Sequence, residues 1–65
     1  MCLASVYVEK GSPAARELVM DKTQSIECAD GRLVCRSLFG ERVEVEGFVR
    51  LIDFSNSLVL VSAEA

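Results

Sequence analysis

The sequence has no histidine and no tryptophan, only one proline, and four glycines that stand apart from one another. Without histidine the usual general base near neutral pH is missing, and neither a Ser/His/Asp nor a Cys/His set can be assembled. Isolated glycines make no phosphate-cradling loop. The basic residues Lys10, Arg16, Lys22, Arg32, Arg36, Arg42 and Arg50 occur singly, so no run of them forms a phosphate track. A net charge of −3 also opposes unspecific nucleic-acid binding. No apolar run approaches the ~20 residues of a membrane-spanning helix. The amino end lacks the basic and long apolar regions of a signal peptide, which leads us to expect a cytoplasmic protein with reduced thiols.

What is present is small and apolar. The chain has 65 residues, 51% of them hydrophobic, enough for a single domain over residues 1–65. A domain of this size buries only about 60% of the surface its unfolded chain exposes. Apolar content beyond what one small core can hide implies a second copy, so a homodimer is expected.

The pattern reads as strands joined by turns. Residues Leu3–Glu9 form a strand whose better core face is Ala4, Val6 and Val8. KGSPAARE is a loop, with room for a helical turn beginning at Ser12, Pro13 in its first position and Glu17 soon after. Leu18–Met20 is a brief strand. Gln24–Ala29 and Arg32–Leu38 flank Asp30-Gly31, which favours a two-residue hairpin because both centres need positive φ. Arg42–Asp53 reads as one long strand broken or bent at Gly47, and Leu58–Val61 as the last. About six short strands without a helical period predict an all-β fold, a small antiparallel β-barrel or rolled sheet. In the long strand Phe48, Ile52 and Phe54 fall opposite Val49 and Leu51. Either one set is an exposed apolar patch, or a bulge at Gly47 carries the strand through the core.

Chemistry is sparse. Glu44 and Glu46 alternate as on the outward face of an ordinary sheet, and the chain reads as a non-enzyme. Cys28 and Cys35 flank the Asp-Gly turn on one face but diagonally, at a separation of about 7–8 Å that suits no easy disulfide. Their spacing makes no zinc knuckle, and free cysteine packs as a small hydrophobe, so both are read as core. Cys2 differs. If Met1 is removed, its amine and thiol form a five-membered N,S chelate, to which a second copy could add two more donors. With Met1 retained, the thiolate and backbone nitrogens remain. Planar N,S donor sets suit Ni(II) or Cu(II), and tetrahedral ones zinc. A lone terminal cysteine is nevertheless more often incidental than a ligand.

MCLASVYV, LVMDKTQSIECADGRLVCRSLFGE and VEVEGFVRLIDFSNSLVLV together resemble the CooT family, from Met1 to about Val61. The Met-Cys start, the Leu38-Phe39-Gly40-Glu41 turn and the VRLID segment at Val49–Asp53 carry most of the resemblance. It implies a small β-barrel homodimer that binds Ni(II) through Cys2 and supports nickel insertion into carbon monoxide dehydrogenase. That enzyme or its maturation machinery would be a partner, and the metal would be bound, not used in catalysis. The alternative is a small-barrel RNA-binding or protein-interaction module without metal. An RNA binder would use Tyr7, Phe39, Phe48 and Phe54 as stacking surfaces. The acidic charge gives that alternative little support.

Overall fold

A computed structural model describes residues 3–11 and 15–63. The fold is all-β. Six strands, β1 (Ala4–Glu9), β2 (Arg16–Ala29), β3 (Arg32–Ser37), β4 (Arg42–Glu46), β5 (Phe48–Asp53) and β6 (Leu58–Ser62), form one sheet. Their order across it is β4-β3-β2-β1-β6-β5. There is no helix among the described residues.

The expected antiparallel sheet is in fact mixed. β6 lies beside β1 and parallel to it, with Val6 opposite Val59 and Val8 opposite Val61. The reason is connectivity: β5 reverses into β6, and that strand returns to β1 running in the same direction. The sheet does not close into a barrel. Its two edges, β4 and β5, are consecutive in the chain, so it is a rolled sheet whose edges are tied covalently at Gly47.

Of the break or bend expected at Gly47, the structure has the break, and β4 and β5 are separate strands. The φ of Gly47 is +142°, and its N–H donates to the Gly31 carbonyl at 2.9 Å. A Cβ at this position would collide with the Ser62 carbonyl oxygen. Only glycine lets the corner pass so close to β6.

The opposite revision applies to β2, a single strand of 14 residues where two short ones were expected. Lys22 sits at φ +52°, and the pairing slips between Thr23 and Ser25. Irregularities of this kind bend and twist a strand without ending it, which lets β2 serve both β1 and β3. Of the helical turn expected from Ser12, residues 12–14 lie outside the described residues, whereas Glu17 belongs to β2. Between β2 and β3 the chain passes through Asp30 (φ +52°) and Gly31 (φ +74°), with Ala29 opposite Arg32.

The inner face of the roll is the core. Val6, Val8, Met20, Leu33, Cys35, Val59 and Val61 are buried, with Ala4, Val43, Val45 and Val49 packed against them. Burying each large aliphatic side chain contributes about 1.5–3 kcal/mol. Two polar side chains share this interior and both are bonded. The Thr23 hydroxyl donates to the Met20 carbonyl, and the Ser37 hydroxyl oxygen accepts the N–H groups of Phe39 and Glu41, each at 3.1 Å. Ser37 thereby braces the Leu38-Phe39-Gly40-Glu41 turn from within.

Candidate functional site

Cys2, the expected metal ligand, lies outside the described residues. The site is therefore built from the residues that follow it. Leu3 leads into β1 and, with Ala4, Ile52, Asp53, Phe54 and Leu58, lines a largely apolar pocket of about 110 Å³. Cross-strand register brings two carboxylates to this end of the sheet. Ser5 faces Leu58, which faces Asp53, and the Ser5 hydroxyl donates to Asp21 Oδ1 at 3.0 Å.

Both carboxylates are held ionised by hydrogen bonds. The Asn56 side-chain and backbone N–H groups donate to Asp53 at 2.9 and 3.2 Å and push its pKa down. Ser5 and the Lys22 N–H do the same for Asp21. The start of β1 is thus bordered by two fixed negative charges, which favour a nearby cation. Sequence reasoning singled out neither aspartate, because only the pairing of β2, β1, β6 and β5 brings them to one end of the sheet.

The other two cysteines divide. Both are free thiols. Cys35 is fully buried as expected, opposite Ile26, and burial pushes its pKa up, with Cys28 adding to the effect. Cys28 was expected in the core and is instead exposed. It shares the face of its partner Leu33 but is the penultimate residue of β2, at the end of the roll. A buried thiol that resists ionisation is a poor metal ligand. Among the described residues no group of three or more His, Cys, Asp or Glu side chains is arranged to hold a metal ion.

The arginines are also committed. Arg32 and Arg42 both bind Glu44, Arg36 binds Glu27, and Arg16 and Arg50 bind Glu9; Lys10 pairs with Glu17. All five arginines therefore meet carboxylates, which leaves no clustered positive surface for a phosphate backbone. Phe39 and Phe54 are 71% and 83% exposed, but no basic groove accompanies them.

A crystal structure assigned to CooT of Carboxydothermus hydrogenoformans superposes with a TM-score of 0.85 at 19% identity. The match covers 98% of this chain and 100% of that one, and it establishes a shared fold. No curated protein matches the sequence. The family model described as CO dehydrogenase accessory protein CooT matches residues 1–62. With that match running through nearly the whole chain, this is a member of the CooT family, an accessory protein of CO dehydrogenase and not an enzyme.

Proposed function

We propose that the protein binds Ni(II) as cargo through the Cys2 thiolate and serves nickel insertion into CO dehydrogenase, acting as a homodimer in the cytoplasm. The observation that carries this reading is the family match, which begins at residue 1 and so includes the Met-Cys start. The donor chemistry fits: a thiolate with neighbouring backbone or terminal nitrogens is a donor set that Ni(II) accepts. Binding releases the thiol proton, so affinity falls in acid. Support also comes from the competing ligands, since burial pushes the Cys35 pKa up and, among the described residues, Cys28 belongs to no group of three or more potential metal ligands. The ionised Asp21 and Asp53 near Leu3 add attraction for a cation.

The test is a nickel titration followed by absorbance in the thiolate-to-metal charge-transfer region. The wild type gives a saturable band, and Cys2→Ser gives none. A band of equal strength in Cys2→Ser would show that Cys2 is not the ligand.

A further inference from the structure

The sheet ends in two strand edges, β4 and β5, and they are unlike. On β5 the pairing slips between Val49 and Leu51, an irregularity of the kind that blunts an edge against further pairing. On β4 the register with β3 is unbroken, from Arg42 opposite Arg36 to Glu46 opposite Arg32. The bonds at either end of that ladder fix its phase. The Ser37 N–H donates to the Glu41 carbonyl at 3.0 Å, and the Gly47 N–H to the Gly31 carbonyl at 2.9 Å. Antiparallel bonding alternates along a strand, so Val43 and Val45 direct their backbone groups to β3. Arg42, Glu44 and Glu46 therefore turn their N–H and C=O groups to the open side, where no described strand pairs with them.

The surroundings of that edge decide what can occupy it. A groove of about 520 Å³ lies between Val43 and Val45 of β4 and Val8, Leu18 and Val19 of β1 and β2. Alternation puts Val43 and Val45 on the core side of β4, and Glu44 and Glu46 on the outer side. Glu44 is held between Arg32 and Arg42, whereas Glu46 enters no ion pair among the described residues. A strand added here would lay one set of its side chains over the valines and the other beside Glu46. Opposite charges on neighbouring strands attract, so apolar residues fit the inner set and a basic residue the outer one. The chain's own net charge of −3 favours the same basic partner.

We propose that β4 is a docking edge for an extended segment of another protein, one that alternates apolar and basic residues and joins the sheet as a strand. Main-chain bonds to Glu44 and Glu46 hold it, the groove takes its apolar side chains, and Glu46 selects a basic one. The edge works independently of Cys2 and of nickel.

The probe is a short synthetic peptide of alternating lysine and valine, titrated into the full chain and followed by amide hydrogen exchange in nuclear magnetic resonance. The Glu44 and Glu46 amides should exchange fast in the protein alone, and slow by about tenfold or more at saturation. Glu46→Gln should weaken binding about two- to fivefold. Glu46→Pro removes an outward N–H and leaves the bonds to β3 in place, so it should abolish binding with an unchanged far-ultraviolet spectrum. The same peptide with its backbone nitrogens methylated should not bind. Equal binding by the methylated peptide or by Glu46→Pro would overturn strand addition, as would no binding by the unmodified peptide. Glu44 and Glu46 amides already protected without peptide would mean that a second copy of the chain covers the edge, which also overturns the proposal. Should Glu46→Pro fail to fold, the methylated peptide decides.

Discussion

Arg50 reaches across β6 to grip Glu9, with Nε 2.7 Å from Oε1 and Nη2 3.2 Å from Oε2. Two parallel bonds from one guanidinium are the strong form of this contact. Glu9 is 7% exposed, and Arg16 approaches it as well, at 3.5 Å. The cluster ties the edge strand β5 to β1 without a direct backbone ladder between them. Arg50→Met should therefore leave Glu9 buried with one weaker partner, and lower the thermal midpoint. Arg50→Lys should recover only part of the loss, because an ammonium cannot bind both oxygens. Thermal unfolding by circular dichroism distinguishes the three.

Acid sensitivity follows from the same contacts. The hydrogen bond from Arg50 holds the Glu9 carboxyl below its ordinary range, and Glu44, Asp21 and Asp53 are lowered by Arg32, Ser5 and Asn56 respectively. Each binds its proton less tightly folded than unfolded. Their stabilisation is complete above the usual carboxylate range and is lost as pH falls through the lowered values. The urea midpoint should stay level from neutral pH to about pH 5 and drop below about pH 4. Arg50→Met should flatten part of that drop.

The thiols should separate by reactivity. In a Cys2→Ser background, Cys28 is exposed and Cys35 fully buried. A disulfide reagent should label one thiol at once, and the second only under unfolding conditions. Burial raises the Cys35 pKa, so its neutral form is favoured by folding, and stability should fall as pH rises beyond about 9. Two fast thiols would contradict the buried placement.

Gly47→Ala should be among the most damaging small changes. The added methyl meets the Ser62 carbonyl, and the φ of +142° is closed to side chains. The expected loss is about 3 kcal/mol or more, larger than the about 1–2 kcal/mol that a side chain in a left-handed conformation costs by itself. Chemical denaturation measures it, and a loss under 1 kcal/mol (~) would show that the corner can move.

Core truncation at Leu33, 2% exposed, should cost about 2–5 kcal/mol as Leu33→Ala. Leu18→Ala should cost much less in a single chain because half of that side chain is already in water. Chemical denaturation of the two variants measures the difference.

Much of the fold was legible in local pattern. Val6 and Val8 alternate with Ser5 and Tyr7, and that alternation alone named the buried face of β1. The count of about six strands was right, although two of the expected segments form the single strand β2 and the segment broken at Gly47 forms β4 and β5. The stretch from Leu18 to Ala29 looked interrupted because Asp21, Lys22 and Gln24 are polar, yet in a strand that rounds a bend those side chains simply face water. Gly47 looked like a break or a bend, and which of the two it is depends on Ser62, fifteen positions away. Cys28 and Cys35 looked equivalent by spacing, and differ because only one sits under the roll.

The sequence by itself determined an all-β chain and ruled out histidine-dependent chemistry, conclusions that rest on residue type and near-neighbour spacing, which a chain carries wherever it folds. Cys2 as the ligand to propose comes from the resemblance to the CooT family, since spacing alone left it a terminal thiol. Tertiary structure decided the parallel β1–β6 pairing and the capture of Glu9 by two arginines. Each needs strands remote in sequence to be laid side by side in one register, and a single-residue slip would turn every one of those side chains to the other face.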